Sequence, residues 1–268
     1  MKPAPFRYEA ADSVEAALAL LVHEDARPLA GGQSLVPMLN FRLARPELIV
    51  DLNPVRELAG LAVTADGALR IGAMTRQAAL LRSPAVADGW PLLTEAVAHV
   101  GHSVTRNRGT VGGSVAQADP KAELGVALTA LGARFHVRSG ERGGRTLGAA
   151  ELFAGPFTTA LRDGELLVEI EVPPAPTGAR MAFVEHARTH GDFAVAGVAV
   201  VHAAGGHVAI ALLGAGAVPI RAEAAERALR EGVDASEAAR LAADGVPDDY
   251  RRALLQTLTE RALARVTT

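Results

Sequence analysis

An α+β fold is what this sequence predicts, with an α/β segment leading and a meander of strands and then helices following. Three observations carry that prediction. Between Ser13 and Leu52 the order is helix, strand, glycine turn, helix, strand, the arrangement that places anion sites at strand ends. Pro173-Pro174-Ala175-Pro176 is the most linker-like stretch and a subdomain boundary. Beyond it, a strand pair around Gly205-Gly206 precedes three helical stretches.

The leading segment turns on Ala30-Gly31-Gly32-Gln33-Ser34, and a second glycine turn, Thr110-Val111-Gly112-Gly113-Ser114, resembles it. Adjacent glycines admit positive φ without steric cost, so consecutive N–H groups can point into one concavity and hold an anion. Two such turns facing each other suit a pyrophosphate.

The elements follow in order. Asp12 or Ser13 caps a helix to Val22, with Val14, Ala17, Leu18 and Leu21 at helical spacing. Arg27–Ala30 is a short strand, Leu35–Arg42 a brief helix and Leu48–Leu52 an apolar strand. Asp66-Gly67 marks a hairpin between Leu61–Thr64 and Ala68–Gly72. Thr75 caps a helix over Arg76–Leu81, and Trp90–Val100 forms another. Asp119-Pro120 opens a helix that runs through Leu124, Ala127, Leu128 and Leu131 to Gly132. Arg134–Arg138 and Glu165–Val172 are strands on either side of a Gly-rich surface loop. Phe193–His202 pairs with Gly206–Leu213, and helices cover Ala222–Arg230, Ala235–Ala242 and Asp248–Val266.

Composition narrows the function. The 268 residues suffice for a sizeable core, and 49% are hydrophobic while only 4% are aromatic. The absence of cysteine excludes disulfides, thiolate nucleophiles and cysteine-ligated iron–sulfur clusters in this chain. A net charge of −3 without like-charge blocks argues against nucleic acid as a partner. No apolar run is long enough for a membrane span, and no signal sequence opens the chain, so a cytoplasmic location is expected.

Several chemistries fail on residue grounds. There is no dinucleotide G-x-G-x-x-G opening a helix, no phosphate-loop motif and no G-x-S-x-G nucleophile elbow. His99 with His102, and His186 with His190, have metal-compatible spacing but no accompanying frame, so no metal site is expected. Glu123 either complements a helix N-terminus or accepts a ribose hydroxyl. Arg106 and Arg108 either neutralise a bound diphosphate or are solvated loop residues.

At this point the motifs carry a resemblance. The run Ala30-Gly31-Gly32-Gln33-Ser34-Leu35-Val36-Pro37, continuing to Arg42-Leu43-Ala44-Arg45-Pro46, resembles the first signature of the FAD-binding medium subunit of molybdenum hydroxylases. This is the family of carbon monoxide dehydrogenase subunits and of the flavin domain of xanthine dehydrogenase. Arg106-Asn107-Arg108-Gly109-Thr110-Val111-Gly112-Gly113-Ser114, followed by Ala118-Asp119-Pro120 and Glu123-Leu124, resembles the second. Arg188-Thr189-His190-Gly191-Asp192-Phe193-Ala194 is similar to the segment opening the family's C-terminal subdomain.

The resemblance implies an FAD-binding fold of the p-cresol-methylhydroxylase type. Residues 1–174 would bind FAD through subdomains of about 1–55 and 56–174, and residues 175–268 would cap the flavin. It implies that Leu29, Ala30, Gly31, Gly32, Gln33, Ser34 and Leu35, with Thr110, Gly112, Gly113 and Ser114, wrap the pyrophosphate. Glu123 would serve the adenosine end and Asp119 would also bind the cofactor, with Leu167 and Phe193 near the flavin ring. It also implies partners: a large molybdenum-cofactor subunit and a small subunit with 2Fe-2S clusters, in a dimer of heterotrimers. This chain would then pass electrons through FAD to an external acceptor, with no catalytic side chain of its own. Two departures stand out. Xanthine dehydrogenase members have a lysine in the stretch matching Phe183-Val184-Glu185-His186, absent here, and Ser114 replaces a common Asn or Asp.

Two other readings follow from the residues. One is a self-sufficient FAD-dependent oxidoreductase acting on a small molecule, with His186, His190 and Asp192 as proton-donor candidates. The other is a non-redox nucleotide-binding assembly module.

Overall fold

The computed structural model describes residues 2–267 and contains three main sheets. The first holds β1 (Arg7–Ala10), β2 (Ala26–Leu29) and β3 (Leu48–Asp51), with β3 parallel to both neighbours. Parallel pairs need crossovers, supplied by α1 (Val14–Leu20) and by a connection containing α2 (Leu35–Asn40). β3 reads Leu-Ile-Val-Asp and is buried throughout, as a central strand should be. Ser13 Oγ accepts from Ala16 N and starts α1 as predicted. β1, whose residues are all exposed, has no apolar pattern and exists only by pairing with β3.

The second sheet is antiparallel. It contains β4 (Leu61–Val63) and β5 (Leu69–Gly72), after which the chain forms α3 (Gln77–Arg82), α4 (Pro84–Gly89), α5 (Pro91–His99), α6 (Ser103–Arg108), α7 (Val111–Gln117) and α8 (Glu123–Ala130). It then returns through β6 (Arg134–Ser139) and β7 (Gly143–Gly148), a short α9 (Ala149–Leu152) and the small pair β8 (Phe153–Gly155) and β9 (Thr158–Thr159), to β10 (Glu165–Val172). The order is β4-β5-β10-β6-β7.

Several expectations are corrected here. The Gly-rich loop is partly strand: β7 pairs along all of β6, and its sequence Gly-Gly-Arg-Thr-Leu-Gly hides this because an edge strand needs little apolar patterning. Thr75 does not cap α3. Its hydroxyl both donates to and accepts from the Gly60 backbone. The Asp119-Pro120 helix begins later, at Glu123, because Asp119 Oδ1 accepts from Lys121 N and closes a local turn.

The third sheet is antiparallel, in the order β11 (Arg180–His186), β12 (Ala196–Ala203), β13 (His207–Leu213) and β14 (Ile220–Arg221). The helices α10 (Glu223–Arg230), α11 (Ala235–Ala242) and α12 (Asp249–Thr267) follow. β12 starts at Ala196, three residues later than predicted, which leaves Phe193 in the preceding loop. Its residues alternate between two cores. Val198 and Val200 pack with α11 and α12, whereas Ala199 and Val201 join the large core that includes Leu124, Ala127 and Leu128 of α8. Sandwiched between these layers, α8 is buried along its whole length. No helix among the described residues is long and apolar enough to cross a membrane.

Candidate nucleotide-binding cleft

The first glycine segment leaves the parallel sheet where β2 ends. Gly32 has φ of 72°, a left-handed conformation that favours glycine. Gly31 is needed for a different reason: a Cβ there would strike the Arg108 carbonyl and sit 2.8 Å from Gly109 Cα. From Gly31 to Leu35, no backbone N–H donates to a protein acceptor among the described residues. That is a row of open donors of the kind expected.

The second segment departs from expectation, because it is not a turn. Thr110 is the N-cap of α7, its Oγ1 accepting from Gly113 N at 3.1 Å, and neither Gly112 nor Gly113 has positive φ. Its amides are already engaged: Val111 N donates to Thr75 O and Gly112 N to Ala73 O. The glycines here serve close approach. A Cβ on Gly112 would lie 2.5 Å from Ala73 Cβ, and one on Gly113 2.6 Å from Thr110 Oγ1 and 3.3 Å from Ala30 Cβ.

The two segments nonetheless pack against each other, through Gly31 on Arg108-Gly109 and through Ala30 beside Gly113. Beside this contact lies a cleft of ≈ 330 Å³, lined by Leu29 to Gln33, Val36, Pro37, Asn53 and Arg108. The Arg108 side chain is exposed and forms no ion pair among the described residues. Near it, burial and the like charge of Arg108 hold the Arg76 guanidinium below its ordinary pKa. Burial alone would raise the Asp51 carboxyl, but hydrogen bonds from Tyr8 and Asn53 and the Arg108 charge outweigh it and lower the pKa. Two cations and one carboxylate leave a positive excess at the cleft, suited to a diphosphate.

Asn53, Arg76 and Asp51 escaped the sequence reading. The available signal was the polar pair Asp51 and Asn53 at the end of a strand that opens Leu-Ile-Val, where α/β folds put ligand sites.

The other predicted residues sit elsewhere. Ser114 is half-buried, with its N–H on Thr110 O. Asp119 shapes the turn before α8. Glu123 is only 6% exposed, and burial, with the charge of Glu185 adding, pushes its carboxyl up to about 7. Leu167 is in the large core and 4% exposed, and Phe193 is 58% exposed in the loop before β12. None of these five lines the cleft.

The histidines pair differently from their spacing. His99 Nδ1 lies 3.1 Å from Glu185 Oε1, and His102 faces His190 with ring centroids 6.0 Å apart. Among the described residues no group of His, Asp and Glu side chains is arranged to hold a metal.

A family model described as the FAD binding domain in molybdopterin dehydrogenase matches residues 4–175. The chain is 42% identical to the 6-hydroxypseudooxynicotine dehydrogenase complex subunit alpha of Paenarthrobacter nicotinovorans, over 99% of this chain and 95% of that protein. It is 36% identical to caffeine dehydrogenase subunit beta of Pseudomonas sp. (strain CBB1), over 99% and 96%. Among solved structures, a chain of carbon monoxide dehydrogenase from Hydrogenophaga pseudoflava superposes with a TM-score of 0.92 at 38% identity, covering 99% of this chain and 98% of that one.

Proposed function

Because the chain belongs to the family of FAD-binding domains of molybdopterin dehydrogenases, as a medium subunit of the molybdenum hydroxylase type, we propose that it is the electron-exit subunit of such a complex. The observation that carries the site assignment is the row of open N–H groups from Gly31 to Leu35 beside the unpaired Arg108. It fits a diphosphate: open donors and a cation lie side by side at the cleft, and missing Cβ atoms keep the approach clear. In this reading Leu29–Leu35 hold the diphosphate, and Thr110, Gly112, Gly113 and Ser114 form the wall behind it. Asp119 and Glu123 belong to the adenosine end, and Leu167 and Phe193 to the ring end. Residues 1–174 make the FAD-binding domain and 175–268 cover the flavin.

Leu29–Leu35 and Arg108 would hold FAD, and the cofactor would supply the redox chemistry that links iron–sulfur clusters on a small partner chain to an external acceptor. This chain orients the cofactor and balances its charge, and no side chain is assigned a proton transfer. Without cysteine it cannot ligate such clusters by thiolates, which supports the division of labour. We place the molybdenum cofactor on a large partner, the assembly as a dimer of heterotrimers, and the complex in the cytoplasm.

The test is FAD titration of the purified chain, followed by flavin fluorescence, together with isolation of the native complex. Expected are stoichiometric binding, no turnover of organic donors by the chain alone, and co-purifying chains carrying molybdenum and iron. A chain that binds no FAD, or that oxidises a substrate unaided, overturns the proposal.

A further inference from the structure

Packing is not the only thing that joins the two glycine segments. Tyr8 OH donates to Asp51 Oδ2 at 2.5 Å. The Asn53 amide nitrogen donates to Asp51 Oδ1 and, at 3.0 Å, to the carbonyl of Ala30, next to Gly31. The Asn53 amide oxygen accepts from Arg76 Nη2 at 2.6 Å. Arg76 Nη1 then donates to the carbonyl of Arg108, next to Gly109. One continuous path therefore runs from the last residue of β3 through two side chains to the backbone of both segments.

We propose that Asn53 and Arg76 are positioning residues that clasp the two segments at a fixed separation, so that the diphosphate of FAD meets its donors preformed. This rests on the FAD reading above. The geometry favours a ligand-directed role over a merely structural one. Each region already has its own apolar core, and neither residue contributes to it. Asn53 is exposed and lines the cleft, while Arg76 is half-buried at its rim.

The chemistry is specific to the two side chains. Asn53 needs both ends of an amide, a donor toward Ala30 and an acceptor toward Arg76. Arg76 needs the fork of a guanidinium, because its two acceptors lie on different residues. Arg76 also engages the Arg108 carbonyl, and the Arg108 side chain stays available to the ligand. Holding a site in its bound geometry lowers the cost of ordering it on binding.

The experiment uses the full chain and its variants Asn53→Ala, Arg76→Met, Arg76→Lys and the double Asn53→Ala/Arg76→Met. FAD and ADP affinities are measured by titration, and the thermal midpoint is measured without ligand. Either Asn53→Ala or Arg76→Met is expected to weaken both ligands about tenfold, with little change in the midpoint. The double variant is expected within about twofold of the weaker single, because a clasp opened once is fully open. Arg76→Lys, able to reach one acceptor, recovers part of the loss. Single variants that bind FAD as the unaltered chain does overturn the clasp alone. So do affinities that fall only in step with the midpoint, or additive losses in the double. An unaltered chain that binds no FAD overturns the cofactor reading and the clasp with it.

Discussion

The two glycine segments look alike in sequence and behave differently in the fold. In the first, Gly32 takes a left-handed φ and five consecutive N–H groups are left open. In the second, Gly112 and Gly113 are helical residues with their amides engaged, and their missing Cβ atoms let α7 press on Ala73 and Ala30. A Gly-Gly pair thus reports either conformational freedom or close approach, and only the neighbours say which. The first segment leaves a row of open donors beside the cleft, and the second packs closely behind it.

The largest expected effect separates the two uses of glycine. Gly112→Ala forces a methyl onto the Cβ, Cα and carbonyl oxygen of Ala73, with no flexible side chain to yield. A loss of about 3 kcal/mol is expected, the upper range for overpacking. Gly32→Ala faces only a left-handed φ and a movable Val36 methyl group at 3.1 Å, so about 1–2 kcal/mol is expected. Urea unfolding of the two variants without ligand checks the order. The reverse ranking would break the distinction between a packed wall and an open surface.

How much of this could be read in advance follows from the same contrast. The apolar strand Leu48–Asp51, the Ser13 cap and the helix Ala235–Ala242 were legible because local pattern and tertiary environment agree there. Both glycine segments were recognisable as places of unusual backbone freedom or close approach, but their amide partners were not. Ala73 and Thr75 lie far from Gly112 and Val111 in sequence, and no local pattern announces that pairing. β7 and β1 were missed because edge strands are set by their partners. Asn53 and Arg76 were missed because a hydrogen-bonded path through isolated polar residues has no periodicity.

A pH series sharpens the comparison downstream of the wall. The second segment leads into α8, where Glu123 is buried, and its carboxyl is raised from the ordinary value to about 7. In the unfolded chain Glu123 ionises near its usual pKa, so between that value and about 7 the folded state holds the extra proton. Stability is therefore greatest at low pH within this window and falls as pH rises through 7, by on the order of 2–3 kcal/mol. His99, raised by its hydrogen bond to Glu185, acts in the same direction, since its protonated form is favoured in the fold. Thermal midpoints of the ligand-free chain should fall from pH 5 to 8, and Glu123→Gln should flatten most of that slope. The first segment, Gly31 to Leu35, holds no ionisable side chain and should contribute none of it.

The smallest effect concerns the two hydroxyls. Thr110 accepts from Gly113 N and so closes the first turn of α7, whereas Ser34, placed equivalently before α2, makes no capping hydrogen bond and is exposed. Removing a functioning N-cap costs about 1 kcal/mol, and Thr110→Ala should lose that much in the ligand-free chain. Ser34→Ala should stay within about 0.5 kcal/mol of the unaltered chain, as exposed substitutions do. Its deficit is expected only in the FAD titration, where the hydroxyl stands within the open donor row. If Ser34→Ala destabilises the empty chain as much as Thr110→Ala, the first segment is a capped helix start like the second, and its donors are not held open for a ligand.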